Sequence, residues 1–264
     1  MQWEHVSIER EGRLAIVRFD RGDGRNPLSG QLLRELTEAA RSFEDDLGTS
    51  CVILSGAGPN FSVGFDLKDP IATERLSAGL DRRRQLSAYG ARMCRAWEEI
   101  PAFTIAAIEG WCIGGGTALA VALDFRVAAR DATFYVPEIS RGMNMSWQSI
   151  PRFVSLIGPA RAKQLAIMAE KVPADEARRW GLVEELAEPG AAMALARTYA
   201  AKVTDKPPVP VRMIKQGATQ AANALGHAVS YMDADQFALA QTGADYREGV
   251  ASFLEKRPPN YTGD

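Results

Sequence analysis

Runs of apolar residues divide the first half of the chain into short strands separated by helices. The segments 6–10 and 14–19 flank Glu11-Gly12, and this pattern predicts a β-hairpin. Ser29 can cap a helix, and the apolar stripe that follows it has helical spacing: Leu32, Leu33, Leu36, Ala39, Ala40 and Phe43. The remaining predicted elements of this half are strands at 51–54, 104–108, 125–128 and 133–136, and helices over about 73–99 and 117–123.

The second half of the chain has a different pattern. From about Trp147 onward it is helical, with proline or glycine interruptions at Pro159, Pro173, Gly181, Pro189 and 207–210. Strands that alternate with helices up to about residue 140, followed mainly by helices, predict an α/β fold.

The charge balance argues against two kinds of partner. The 264 residues include 31 Lys+Arg and 33 Asp+Glu, for a net charge of −2. A dedicated nucleic-acid binder needs a surplus of cations, and the cluster Arg82-Arg83-Arg84 has acidic neighbours, which indicates a solvated helix face. The uncharged stretch 110–123 contains four glycines and is shorter than the roughly 20 residues of a membrane span. We therefore expect neither nucleic acid nor membrane as a partner.

Few residues in the chain favour metal ions or disulfides. Cys51, Cys94 and Cys112 share no paired spacing, and the two histidines are His5 and His227. We therefore expect no metal site and no disulfide framework. The first residues show no basic segment followed by an apolar one, which favours a cytoplasmic protein.

Three segments carry candidate chemistry, each weak by itself. Gly110–Gly116 lies between a strand and an apolar helix, where backbone N–H groups could hold a phosphate or a developing oxyanion. It lacks dinucleotide-binding and P-loop spacing, so close strand–helix packing is the alternative. The segment 61–68 is another turn that contains glycine. Glu138 follows an apolar strand and Pro137, and a desolvated carboxylate suits acid–base work, although most single glutamates lie on the surface.

Together these segments have the order and spacing of the crotonase (enoyl-CoA hydratase/isomerase) superfamily, which the chain resembles over nearly its whole length. The matching motifs are Gly64-Phe65-Asp66-Leu67, the triple glycine 114–116, Pro137-Glu138-Ile139, the turn 25–28, and the segments 174–183 and 248–259.

The resemblance implies a fold, a substrate and an assembly. The fold is a spiral of ββα units over residues 1–200, which holds the CoA and acyl site, with a C-terminal helical region over 201–264. That region mediates a homotrimer or a hexamer in the family. The substrate is an acyl-CoA thioester, so coenzyme A arrives as part of the substrate and no separate cofactor is implied.

The resemblance also implies roles for particular residues. The backbone N–H groups of Phe65 and Gly115 hold the thioester carbonyl, and Glu138 is the catalytic acid or base. The residues implied in substrate or CoA binding are Asn26, Asp66, Leu67, Lys68 and Gly114, with Lys256 as a weaker candidate for the nucleotide phosphates.

Two departures from the family pattern bear on the reaction. Hydratases of the family carry a second glutamate three residues after the middle glycine, where this chain has Ala118. The usual glycine-rich loop is replaced by a bulky segment, so Met143, Ser146 and Trp147 are predicted to reshape the acyl pocket.

The leading interpretation is a CoA-thioester enzyme, a lyase or isomerase, that works with one glutamate. Two alternatives stay open. One is a hydrolase of a CoA thioester or a carbon–carbon bond, with Asp66 or Asn144 helping Glu138 to activate water. The other is a catalytically silent member that only binds acyl-CoA.

Overall fold

The computed structural model describes residues 3–264, which form two sheets surrounded by helices. The strands are β1 (Val6–Glu11), β2 (Leu14–Phe19), β3 (Cys51–Gly56), β4 (Phe103–Ile108), β5 (Trp111–Ile113), β6 (Phe125–Ala129), β7 (Thr133–Tyr135), β8 (Val172–Pro173) and β9 (Glu185–Ala187). The α-helices are α1 (Gly30–Arg41), α2 (Pro70–Ser77), α3 (Leu80–Ser87), α4 (Tyr89–Glu99), α5 (Gly115–Ala120), α6 (Ser149–Lys163), α7 (Ala174–Trp180), α8 (Ala192–Thr204), α9 (Pro208–Val229), α10 (Asp233–Ala240) and α11 (Ala244–Glu255). The predicted α/β class is confirmed.

The larger sheet has the order β1-β2-β3-β4-β6-β9, and the smaller sheet has the order β5-β7-β8. β1 and β2 form the predicted antiparallel hairpin, and the other neighbours in the larger sheet are parallel. β3 and β4 are buried runs, as expected for parallel strands covered on both faces. The predicted cap of α1 is confirmed, because the Leu32 N–H donates to the Ser29 hydroxyl at 3.1 Å.

The order of elements confirms the ββα units. β4 of the larger sheet is followed by β5 of the smaller sheet and then by α5. The loops after β2 and β3 join this arrangement through single bridges between Leu28 and Phe65 and between Ser62 and Cys112. These bridges bring the loop at 61–68 to the start of α5, where the two glycine segments meet.

One prediction about the elements is wrong. The single helix expected over 73–99 is three helices, because Gly79 has an extended backbone (ψ 159°) before α3, and Ala88 separates α3 from α4. The second half is mainly helical, as expected, and it also contains the short strand β8 and the three-residue strand β9, which pairs in parallel with β6. Three residues are too few to show a periodicity, and only pairing with β6 makes them a strand.

The C-terminal part of the chain is helical, as the predicted fold class requires. Residue 200 falls inside α8, whose face of Ala192, Ala196 and Ala200 is buried against the larger sheet. The helices beyond the sheet are α9, α10 and α11. Across residues 3–264, no helix combines the length and apolar character that crossing a membrane requires.

Candidate active site

The loop after β3 and the start of α5 touch at glycine positions. Gly64 has φ +87°, and a side chain there would approach the Ile113 carbonyl oxygen to 2.8 Å and the Gly115 nitrogen to 3.5 Å. A residue with a Cβ atom would therefore be strained and would push the two segments apart. Glycine at position 64 permits this approach.

The N–H groups of Phe65 and Gly115 lie in these adjoining segments without an acceptor. The Leu28 N–H donates to the Gly64 carbonyl at 2.8 Å, and the Leu28 carbonyl accepts from the Asp66 N–H at 3.1 Å. The Phe65 N–H, which lies between these two bonds, is left without a partner on Leu28. Gly115 is the first residue of α5 and has no preceding turn to which it could donate. Within residues 3–264, neither N–H makes a hydrogen bond. Both donors are available to a ligand.

Glu138 brings a carboxylate to the same place. It begins a short 3-10 helix, Glu138–Arg141, immediately after β7 and Pro137. Its carboxyl carbon lies 3.3 Å from where a Cβ atom of Gly114 would stand, and Gly114 has φ +51°. The structure thus gathers the three segments that the sequence singled out.

The environment of Glu138 adapts it to proton transfer near neutral pH. Burial raises the pKa of Glu138 from 4.5 to about 7, although its own backbone N–H and the charge of Arg141 act in the opposite direction. Its Oε2 atom is buried and has no hydrogen-bond partner within residues 3–264. A carboxyl group with a pKa of about 7 can both accept and return a proton.

Glu138 has no second carboxylate beside it in the described part of the chain. Ala118 lies fully buried on α5, so that position offers no acidic group. In the described part of the chain, the charged side chain that shifts the pKa of Glu138 is Arg141, and no second carboxylate takes part. The candidate site therefore combines one carboxylate with two backbone N–H groups.

Trp147 packs directly on the glycine segment. Its ring occupies the space that a Cβ atom of Gly115 or of Gly90 would need. Arg152 donates to the carbonyls of Trp147 and Gln148, at 3.2 and 2.9 Å, and so holds the left-handed backbone at Trp147 (φ +62°). The sequence placed Trp147 in the acyl pocket, and its position at Gly115 is consistent with that.

A buried ion pair holds this loop in place. The Nε and Nη2 atoms of Arg152 donate to the two carboxylate oxygens of Glu98, at 3.0 Å each. Burial raises the pKa of Glu98, but hydrogen bonds from Arg152 and His227 outweigh it and leave the pKa below its usual value. Separating the two side chains would leave a buried charge without a partner, which is energetically costly. The pair therefore strongly favours one conformation of the loop that carries Trp147. Neither Glu98 nor Arg152 was identified from the sequence.

Met143 and Ser146, the other two residues predicted for the acyl pocket, lie in different surroundings. Met143 packs with Phe237 and Tyr246 of the C-terminal helices. Ser146 is buried, and its carbonyl accepts a hydrogen bond from the Ser149 hydroxyl at 2.6 Å. Of the three residues, Trp147 lies nearest to the glycine segment.

Asn26 differs from the predicted substrate contact. Its side chain is fully buried, and its amide nitrogen donates to the carbonyls of Ala57 and Asn60 at 2.8 and 2.9 Å. Its amide oxygen accepts from the Arg21 N–H at 3.2 Å. Because its polar atoms are bonded to the backbone, the Asn26 side chain supports the loop after β3.

The predicted CoA-binding residues follow Phe65 on a turn. The Asp66 carboxylate accepts from the Lys68 N–H at 3.0 Å and lies 3.7 Å from the Arg21 guanidinium. Leu67 is half-buried and Lys68 is exposed. Lys256 is exposed at the end of α11. Lys68 is therefore accessible to a charged ligand beside the loop that carries the Phe65 donor.

The sequence analysis missed the support behind Glu138. A Cβ atom at Gly249 of α11 would meet the backbone of Arg141 at 2.6 Å, and one at Gly142 would meet the backbone of Tyr246 at 2.6 Å. α11 therefore packs closely on the 3-10 helix that carries Glu138. The glycine in the motif 248–259 was a signal of this contact, although its partner lies far away in sequence.

Comparison with known proteins identifies the family of the chain. The sequence model of the family described as enoyl-CoA hydratase/isomerase matches residues 9–264. The crotonyl-CoA hydratase of Syntrophomonas wolfei is 32% identical over 99% of each chain, and the (E)-benzylidenesuccinyl-CoA hydratase of Thauera aromatica is 33% identical over 98% of this chain and 99% of the relative. A solved enoyl-CoA hydratase/isomerase from Xanthobacter autotrophicus superposes with a TM-score of 0.87 at 26% identity, over 97% of this chain and 98% of that one. The chain belongs to the crotonase superfamily, the family of enoyl-CoA hydratases and isomerases.

Proposed function

We propose that the protein stabilises the enolate of an acyl-CoA thioester with the N–H groups of Phe65 and Gly115, and that Glu138 moves a proton on the acyl chain. The observation that carries the proposal is the convergence of two unbonded N–H donors and one buried carboxylate. Donors that are already in place where negative charge develops lower the barrier, because they need no reorganisation during the reaction.

The proposed steps need no group beyond these. The Glu138 carboxylate takes a proton from C2 of a saturated or 3-enoyl thioester, or from C4 of a 2-enoyl thioester, and the electron pair of that C–H bond moves toward the carbonyl, directly or through the C2–C3 double bond, to form the enolate or dienolate. The two N–H groups hold the oxygen that gains the charge. The carboxylic acid then returns its proton, to the same carbon or to the far end of the conjugated system, and the carbonyl re-forms.

The lone carboxylate favours proton transfer over addition of water. Hydration requires one group to position the water and a proton donor for the acyl chain, and Ala118 leaves Glu138 without a second carboxylate. Asn144 has a buried, unbonded side-chain oxygen and follows Met143, whose N–H donates to the Glu138 carbonyl at 3.1 Å. If the protein hydrates its substrate, Asn144 is the neighbouring group that would help Glu138 to position the water molecule. The two sequence relatives named above are hydratases, so the distinction needs a direct test.

We expect the protein to incorporate deuterium from heavy water into a 2-enoyl-CoA, such as hexenoyl-CoA, without adding water. The physical reason is that one carboxylate can take and return a proton but cannot also activate a water molecule. The measurement is the mass of the recovered thioesters. A product heavier by one water would establish hydration and contradict this part of the proposal.

The matched variant is Ala118→Glu, which restores the second carboxylate. We expect hydration activity to appear in this variant if the carboxylate is the missing element. Because Ala118 is buried, a melting curve must accompany the assay to show that the variant is folded. A folded variant without hydration would assign the difference to the acyl pocket.

We propose further that the protein assembles as a homotrimer or as a hexamer, through surfaces that include α9. Ile214, Leu225 and Val229 lie on one face of this helix, eleven and four residues apart, and are 72, 80 and 69% exposed. Large apolar side chains on one helix face indicate a surface that a partner covers. Further copies of this chain are the proposed partners.

Analytical ultracentrifugation should show a trimer or a hexamer. Ile214→Glu should shift the protein toward the monomer, because a charge would be buried without a partner in the assembled form. Lys202→Glu, on α8, is a control for the added charge and should leave the assembly intact. A stable monomer at micromolar concentration would contradict the proposed assembly.

A further inference from the structure

A cavity of about 300 Å³ lies where α2 and α3 meet α10 and α11, apart from the three groups that carry the proposed chemistry. It is lined mainly by Arg75, Leu76, Arg83, Gln241, Tyr246 and Arg247. The lining thus includes three cations and no carboxylate. Such a lining produces a positive potential inside a confined volume.

Two buried side chains of this cavity lack hydrogen-bond partners for their polar atoms. Arg75 is 7% exposed and Gln241 is 5% exposed. Within residues 3–264, the Nε atom of Arg75 and both the Oε1 and Nε2 atoms of Gln241 make no hydrogen bond. Buried polar groups are bonded in more than about nine of ten cases, so this concentration of unbonded groups points to a ligand.

The cations of the cavity are also not neutralised. In the described part of the chain, no carboxylate lies within 4.0 Å of the guanidinium groups of Arg75, Arg83 or Arg247. Arg83 donates to the Leu76 carbonyl and Arg247 to the Thr242 carbonyl, each at 3.1 Å. These bonds hold the two side chains in place, but a neutral carbonyl does not compensate the positive charge of a guanidinium group.

We propose that this cavity binds a carboxylate group, with Arg75 and Gln241 as its buried contacts. A guanidinium presents parallel N–H donors that match the two oxygens of a carboxylate. The Gln241 amide supplies a further donor. A carboxylate would satisfy the unbonded donors and balance the charge of the three arginines.

The carboxylate group could belong to either of two kinds of ligand. The Arg75 guanidinium lies 5.2 Å from the centre of the Phe65 ring and 5.0 Å from that of Phe237. The Phe65 N–H is one of the two groups proposed to hold the thioester carbonyl, so the first source is a carboxylate at the far end of the acyl chain. This assignment rests on the proposed function. The second source is a free carboxylic acid that enters from solvent.

The first experiment compares binding of glutaryl-CoA and pentanoyl-CoA by calorimetry. The two thioesters have acyl chains of equal length and differ in the terminal carboxylate. We expect glutaryl-CoA to bind at least about tenfold more tightly, as a charge-assisted pair in a buried site implies. Arg75→Gln should abolish this preference, while Arg82→Gln should retain it because Arg82 is exposed and bonds to Glu74.

The second experiment measures protection from thermal unfolding by free glutarate, with the same variants. Protection that depends on Arg75 would support the site with a free acid as its ligand. Gln241→Leu is the variant that separates binding from folding. It should raise the melting temperature, because it removes two unbonded buried atoms, and yet weaken carboxylate binding.

The outcomes are distinct. If pentanoyl-CoA binds while glutaryl-CoA gains nothing and glutarate gives no protection, the carboxylate site is wrong and the proposed function stands. If neither thioester binds, the proposed function fails, and only protection by glutarate would then sustain the site. A preference for glutaryl-CoA that survives Arg75→Gln in a folded protein would overturn the assignment of Arg75.

Discussion

Glu138→Gln should lower the rate of deuterium exchange into an acyl-CoA by a factor of about 10²–10⁴, the range that general acid–base catalysis contributes. Glutamine keeps the size and much of the polarity of the side chain but cannot take a proton. Affinity for the thioester should change little, because the two backbone donors are untouched. The measurement is single-turnover exchange followed by mass spectrometry, with calorimetry of acyl-CoA binding as the control.

The pH dependence of exchange gives an independent reading of the same group. Because burial raises the pKa of Glu138 to about 7, the carboxylate that accepts the proton forms as the pH rises through 7. Exchange by the wild type should therefore increase up to that pH and then level off. The Gln variant should lack this limb.

The free energy of unfolding should decrease with rising pH, whereas the rate of exchange increases. The folded state holds the proton up to about pH 7, whereas the unfolded chain releases it near 4.5. The stabilisation that this proton binding contributes is complete below pH 4.5 and is lost as the pH rises through 7. The wild type should therefore lose stability relative to Glu138→Gln over this range. Unchanged exchange in the variant would remove Glu138 from the mechanism, whatever the stability.

Gly115→Ala should lower the exchange rate by a factor of about 10²–10³, the effect of losing one donor to a developing oxyanion. The added methyl group would enter the ring of Trp147, so the start of α5 and its N–H must shift. Unlike Glu138→Gln, this variant should also weaken acyl-CoA binding, because the N–H contacts the carbonyl before the reaction as well. Kinetics and calorimetry on one preparation separate the two effects.

The control for this variant is Gly217→Ala on α9, where a Cβ atom meets nothing within 4 Å. It should leave exchange and binding unchanged and stabilise the helix slightly. The double variant Gly115→Ala/Trp147→Leu should recover part of the activity if the clash with the ring causes the loss. Full activity of Gly115→Ala would contradict the assignment of its N–H as a donor.

Local signals predicted much of the scaffold of the site. The hairpin, the Ser29 cap and the buried strands follow from turn residues and apolar runs, which act over a few neighbouring residues. The three-helix segment 70–99 shows the limit of this reading. Gly79 interrupts the helix, but a single glycine in a sequence rich in helix formers is only a weak signal of a helix end. Packing in the tertiary structure decides the angle between the helices.

The acyl side of the site could be predicted only in part. Met143, Ser146 and Trp147 fall within five residues of one another, and the sequence offered no reason to separate them. The structure sends Met143 toward Phe237 and places Trp147 on Gly115. The left-handed backbone at Trp147, held by a buried arginine from the next helix, makes this difference.

The sequence by itself determined the family, the elements that carry the glycine segments, and the presence of a single glutamate where hydratases of the family have two. The tertiary structure decided the burial of these residues and the charges around them. The raised pKa of Glu138 depends on the desolvation of its carboxyl group in the folded chain, and the cation-rich cavity depends on α10 and α11 meeting α2 and α3. Desolvation and charge are sums over neighbours that lie a hundred residues or more apart along the chain, so no local pattern contains them.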